Sequence, residues 1–316
     1  MNTATFSNPL LTNGPDPWMV WHEGNYYLTY TAMDRIEIRR APSITQVGQA
    51  EPVVVWRDSD PSRNQEMWAP EFYLLDGPNG RRWYLYYTAG DGVDANHRMF
   101  VLESEGDDPL GPYTFKARLK TDPTGELYAI DGGLIQREGG ELFLVWAGWP
   151  DHRLFISRMD NPWTLRGERQ LLEADGFGCD EVREGPVVLR RNGKIFLVYS
   201  ICDVGKPDYK LGMLWADEGA DLMNPASWHQ FPEPVFTRND EAGVFGPGHN
   251  GFFHSPDGTE TWIIYHAKDE VRYTYEGRTP RAQKIEWNED GFPVLGRPLS
   301  TKEPVGVPSG DPASAA

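Results

Sequence analysis

Four carboxylates and one imidazole mark this chain: Asp16, Glu71, Asp131, Glu184 and His249. They lie far apart in sequence, yet each opens a similar unit: a short apolar run, a Gly, Asn or Asp turn, then an aromatic-rich run. The second runs are GNYYLTYT, RRWYLYYT, GELFLVWA, GKIFLVYS and ETWIIYHA, which align on Tyr27, Tyr84, Phe143, Phe196 and Ile263. Repeats at intervals of roughly 50–70 residues signal a solenoid or propeller. If the units stand around an axis, their opening polar residues converge. Crowded carboxylates cannot all stay ionised, so one is driven to hold a proton while another remains a base. That is acid–base chemistry on a bond placed between them. A lone Asp-Pro or Pro-Glu is ordinary turn chemistry; recurrence at one phase of five repeats argues for a common site.

The units themselves indicate what positions these groups. A run, a tight turn and a second run make a β-hairpin. RIEIRRA, HRMFVLES, RLFISRM and YKLGMLWAD supply third strands. Segments 41–56, 108–119, 161–172 and 224–236 each begin at a Pro-bearing turn and supply edge strands, where proline is tolerated. The expectation is an all-β chain, a five-bladed β-propeller with four antiparallel strands per blade, and a variant outer segment over 282–299 in the last. Residues 1–305 would form one propeller domain, and the small, Pro-rich stretch 306–316 a disordered tail. How the ring closes is not legible.

A formal charge of −17 disfavours nucleic acid and anionic membranes as partners and suits a neutral or cationic small substrate. No apolar run is long enough to span a membrane as a helix. The first residues lack the basic start and apolar core of a secretion signal, so the expected location is cytoplasmic, with a trimmed secreted form the alternative. Cys179 and Cys202 have no metal-ligand spacing and read as free thiols.

GPDPWMVW, MWAPEF, AIDGGL, VREGPVVL and GPGHNGF, in this order, resemble glycoside hydrolase family 43, over nearly the whole chain. The resemblance implies an inverting enzyme that acts on arabinose- or xylose-containing glycans. DRIEIRRA, RMFVLE and YKLGMLWAD look closest to the exo-acting α-L-arabinofuranosidases of that family. Such chemistry needs a protonated carboxyl at the leaving oxygen and an ionised one across the ring, with a water between. By resemblance, Asp16 is the general base, Glu184 the general acid, and Asp131 the residue that orients the acid and raises its pKa. The family often has Thr or Ala after this Asp, where this chain has Gly132 and Gly133. Glu71 reads as a pocket residue or a structural one, and Trp68 as a stacking face for a sugar or a tryptophan buried between blades. His249 matches a histidine that binds a central cation through water in some members, or is a neutral core histidine. Arg278 matches an arginine that contacts substrate hydroxyls, with Arg281 its competitor and a surface salt bridge the plain alternative.

The function expected is release of terminal α-L-arabinofuranosyl residues from arabinan or arabino-oligosaccharides, with no cofactor required and a structural Ca2+ or other cation at the axis optional. A β-xylosidase of the same family is the main rival. A non-catalytic carbohydrate-binding propeller would need aromatic platforms but not three converging acids. A retaining fructosidase should show Asn-Asp-Pro-Asn-Gly and Arg-Asp-Pro, whereas this chain has GPDPW and RDS; a phosphorylase would need basic groups for phosphate.

Overall fold

The computed structural model describes residues 4–315. Five antiparallel sheets stand around an axis as blades of a propeller. Blade one comprises Trp18–His22, Asn25–Thr29, Ile36–Ala41 and Pro52–Trp56. Blade two comprises Gln65–Gly77, Gly80–Gly90, Arg98–Ser104 and Tyr113–Arg118, and blade three Ala129–Gln136, Leu142–Gly148, Arg153–Asn161 and Thr164–Leu171. Blade four has Arg183–Arg191, Lys194–Ile201, Lys210–Asp217 and the short His229–Gln230. The sheet of blade five holds Phe245–His254, Thr261–Lys268 and Thr279–Lys284, and the expected variant segment forms a separate ribbon, Glu286–Trp287 with Pro293–Val294. The first strand of each blade touches that of the next, and the last touches the first.

The second strand of each blade is apolar on both faces because both are covered. In blade three, Phe143, Val145 and Ala147 pack with Leu197 and Tyr199 of blade four, whereas Leu142, Leu144 and Trp146 pack with Tyr84 and Tyr86 of blade two. This is the period-two alternation of a strand, with a neighbouring blade rather than water on each side. Tyr27, Tyr84, Phe143 and Phe196 all face the following blade; in blade five the residue that does so is Trp262, not Ile263. The alignment of the fifth repeat is thus corrected by one residue. Leu144→Ala is expected to cost about 2–5 kcal/mol in a urea titration, and Val54→Ala, on an exposed edge strand, under about 0.5 kcal/mol.

Ring closure uses both ends of the chain. Asn8 exchanges hydrogen bonds with the backbone of Ala282, donating to its O at 2.9 Å and accepting from its N at 2.9 Å. Leu10 N donates to Pro280 O at 2.8 Å and Gly14 N to Arg278 O at 3.2 Å, so the N-terminal segment lines the outer side of blade five. Thr5–Phe6 also pairs antiparallel with Val305–Gly306. The expectation of a disordered tail is corrected here. Val307 N donates to Ala4 O, and the buried Asp311 accepts from Ser43 Oγ and Ile44 N at the start of the helical turn Ile44–Val47. A carboxylate satisfying otherwise unpaired N-terminal donors is enough to hold a polar segment in place.

Candidate active site

Each first strand begins with the same local distortion. Asp16, Ala69, Asp131, Gly185 and His249 all have positive φ, between 42° and 56°. In blades two to five this residue sits where the pairing skips: Trp68/Glu71, Ile130/Gly133, Glu184/Val187 and Gly248/Gly251. A bulge re-aims side chains, and left-handed backbone at non-glycine residues is held only where the surroundings over-determine it. The surroundings are a ring of hydrogen bonds from blade to blade. The amide of Ala69 donates to Thr31 Oγ1 at 2.8 Å, that of Asp131 to Thr88 Oγ1 at 3.1 Å, that of His249 to Ser200 Oγ at 2.8 Å and that of Asp16 to His266 Nδ1 at 3.1 Å. In blade three the corresponding residue is Ala147, which has no acceptor. There the Asp131 carboxylate takes over, accepting from Gly185 N at 3.1 Å.

The five residues singled out from sequence are therefore not at one phase. Asp16, Asp131 and His249 occupy the left-handed position. Glu184 precedes it, in register with Trp68, and Glu71 lies two residues after it. They still come together: all four carboxylates act on His249 and raise its pKa against the opposing effect of burial. Gly133 also gains a reason here, since an added Cβ would lie 1.9 Å from Pro186 O of the next blade.

Asp16 is buried and fully bonded. Thr31 Oγ1 donates to its Oδ2 at 2.6 Å, Arg278 Nη1 reaches Oδ1 at 3.0 Å, and His249 Nδ1 lies 3.4 Å from Oδ1. Burial alone would raise this carboxyl, but Arg278 and then His249 hold it well below the usual carboxylate range. His266 accepts the Asp16 amide through Nδ1, so that nitrogen carries no proton, and burial takes its pKa down to about 4. Asp131 behaves oppositely: burial, reinforced by Glu184 and Asp16 and opposed by His249, lifts it to about 6. Glu184 accepts from Tyr209 Oη at 2.7 Å, and His152 Nε2 stands 3.4 Å from its other oxygen. Burial pushes Glu184 up, but His152, His249 and Tyr209 outweigh it and bring it down. The site is thus split between an Asp16 held as an anion, an Asp131 with raised proton affinity and a Glu184 brought down by its donors.

Glu71 is buried, and burial lifts it to about 8, although its bond from Tyr73 Oη and the charge of His249 pull it down. It is a neutral acid at pH 7. Because its folded pKa lies above the unfolded value, the stability it supports is complete below about 4.5 and is lost as pH rises through about 8. Glu71→Gln is expected to flatten that loss, raising Tm at pH 8.5 relative to the parent far more than at pH 5.

Trp68 is half-buried, with His97 stacked on it at 3.8 Å between ring centroids. Arg278 is held between Asp16 and Tyr275 O. Arg281 is fully buried and bonded to Thr279 and Asp269, so of the two arginines it is Arg278 that reaches Asp16. His249 Nε2 is buried without a partner, which suits a water there, and among the described residues no three His, Cys, Asp or Glu side chains gather as direct metal ligands.

Reasoning from sequence missed His152, Tyr209, Thr31 and His266. Thr31, like Thr88 and Ser200, closes its aromatic run, a recurrence that could have been noticed, and His266 holds the same place once the fifth repeat is shifted by one residue; His152 and Tyr209 carry no such signal. The free-thiol expectation is corrected: Cys179 and Cys202 form a disulfide, Cα–Cα 5.1 Å. It ties the loop ahead of Glu184 to the end of the strand Lys194–Ile201, two places that meet only once blade four has formed.

Three buried carboxylates with unlike proton affinities at the axis of a propeller are the kind of arrangement that general acid–base chemistry uses. Residues 6–293 match the profile of Glycosyl hydrolases family 43. The chain is 34% identical to an extracellular exo-α-(1→5)-L-arabinofuranosidase of Streptomyces avermitilis, over 94% of this chain and 64% of that one. It is 36% identical to a protein of the same name from Streptomyces chartreusis, over 84% and 83%. A crystal structure of an α-L-arabinofuranosidase from Lactobacillus brevis superposes with TM-score 0.85 at 33% identity, covering 94% of this chain and 98% of that one. The chain belongs to glycoside hydrolase family 43. It spans 64% of the length of the Streptomyces avermitilis relative. The cytoplasmic expectation is overturned: both Streptomyces relatives are named extracellular, and a disulfide is a bond of oxidising compartments.

Proposed function

We propose that the protein hydrolyses terminal α-L-arabinofuranosyl linkages of arabinan or arabino-oligosaccharides, with inversion, outside the cytoplasm. The observation that carries the chemistry is the convergence of three buried carboxylates in unlike settings: Asp16 held as an anion by Arg278 and His249, Asp131 raised by burial, and Glu184 between Tyr209 and His152. Asp16 takes a proton from the attacking water, and Glu184 delivers one to the leaving oxygen. Asp131 holds the Glu184–Gly185 peptide in place and raises the proton affinity of His152 and His249. Trp68, in register with Glu184, offers the sugar the face His97 does not cover, and Arg278 serves the reaction chiefly by fixing Asp16. Glu71 is a neutral donor near the axis. No step is assigned to a cofactor; a cation held through water by His249 Nε2 would add electrostatic support alone. The partner is a neutral glycan, and neither nucleic acid nor a membrane has a part in this reading. The names and identities of the relatives favour arabinofuranoside over β-xyloside.

Release of free sugar from p-nitrophenyl α-L-arabinofuranoside, p-nitrophenyl β-D-xyloside and linear arabinan tests the reading, with the first-formed anomer followed by NMR. Arabinose released initially as the β-anomer is the expected result. Activity confined to the xyloside, or retention of configuration, overturns it.

A further inference from the structure

Glu184 poses a chemical problem that its surroundings resolve. Tyr209 Oη donates to one of its oxygens at 2.7 Å, and His152 Nε2, buried with no hydrogen-bond partner, stands 3.4 Å from the other. A carboxylate so placed favours its ionised form, yet a general acid must have a proton to give. His152 lies in the turn 149–152 between the second and third strands of blade three, where Asp151 and His152 both have positive φ, 59° and 51°. Its ring packs edge-on against Tyr128 at 5.5 Å, and its carbonyl accepts from Arg183 N at 2.9 Å, which ties the turn to the strand that carries Glu184. Strained backbone held in place beside a reacting group is a functional signature.

We infer that His152 stores the proton that Glu184 delivers, as a positioning residue that acts through Glu184 rather than on the sugar. This rests on the proposed hydrolysis. The His152 Nε2–H bond breaks as the Glu184 Oε2–H bond forms. That proton then passes to the glycosidic oxygen, which leaves with the electron pair of the broken C–O bond. The attacking water bonds to carbon and gives its own proton to Asp16. Solvent restores a proton to His152 and accepts the one on Asp16, so the cycle consumes one water and no other reactant. The ionisable groups facing His152 favour its charged form. Burial opposes the imidazolium, but Glu184, Asp131 and Asp94 outweigh it and raise its pKa. The Arg183 guanidinium, on the adjacent strand, points elsewhere, to Ala174 O, Cys179 O and Asp180. Tyr128 presents its ring.

His152→Gln keeps an N–H donor but cannot hold a transferable proton. His152→Asn is the second variant, since asparagine tolerates the left-handed backbone. Each is assayed, with Tm as a folding control, on α-1,5-linked arabinobiose, whose alkoxide leaving group needs protonation, and on p-nitrophenyl α-L-arabinofuranoside, which needs it less. The expected loss in kcat/KM is roughly 10- to 100-fold greater on arabinobiose, with the basic limb of its pH profile moved to lower pH. Independently, NMR titration of His152 in the parent and in Glu184→Gln should show the imidazole pKa fall by at least about one unit when the carboxylate charge is removed. Equal losses on both substrates, rescue by glutamine, or an unchanged imidazole pKa overturns the inference. A parent enzyme that cleaves neither substrate instead sinks the hydrolase reading and this inference with it.

Discussion

Asp16→Asn should lower kcat by roughly 10²- to 10⁴-fold on aryl arabinofuranoside and arabinan alike, the range lost with a general base. Asparagine matches aspartate in shape and tolerates the left-handed backbone that Asp16 adopts at φ 56°. It can still accept from Thr31 Oγ1, but it has no charge to take a proton from water. The loss should not depend on the leaving group, because the base acts on the nucleophile. Removing the anion also frees Arg278 and His249 of their main partner, so the His249 pKa should fall, given that Asp16 is the strongest charge raising it. Steady-state kinetics on the two substrates, with circular dichroism to confirm the fold, is the check. Residual activity within about tenfold of the parent would remove Asp16 from the role of base.

Glu184→Gln should give a loss of similar size on arabinan but a markedly smaller one on the p-nitrophenyl glycoside, whose leaving group departs without protonation. The contrast with Asp16→Asn separates acid from base without reference to any other protein. Asp131→Asn should behave as a pH variant. Its charge raises the proton affinity of His152, and it lies within the field of Glu184. Without it, the proton needed for catalysis is lost at lower pH and the basic limb moves down. A limb that stays fixed, or an Asp131→Asn enzyme as active as the parent, would reduce Asp131 to a backbone ligand of Gly185.

The outcome for the sites depends on a detail invisible in the repeats. A bulge adds a residue to one strand, so counting back from the aromatic runs gives five polar residues that look equivalent and are not. Asp16, Asp131 and His249 share the left-handed position; Ala69 and Gly185 fill it in the other two blades, and Glu184 and Glu71 flank it. Convergence was nonetheless inferred correctly, because an offset of one or two residues moves a side chain a few ångströms along a strand. The axis gathers everything at that end regardless. The expectation that nearby negative charge would keep Glu184 protonated proved incomplete for a different reason. His152 and Tyr209 come from other strands and turns, and no local pattern ties them to an acid.

Amino-acid order alone determined the strands, their alternation, the fivefold repeat and the acids, since these follow from local spacing of apolar and polar residues and from turn chemistry. The pairing of Cys179 with Cys202, the binding of Asn8 to blade five and of Asp311 to blade one, and the approach of His152 to Glu184 required the folded ring. Each depends on groups distant in sequence meeting at a few ångströms in a dry interior. Distances and burial set those energies, and only the closed ring supplies them.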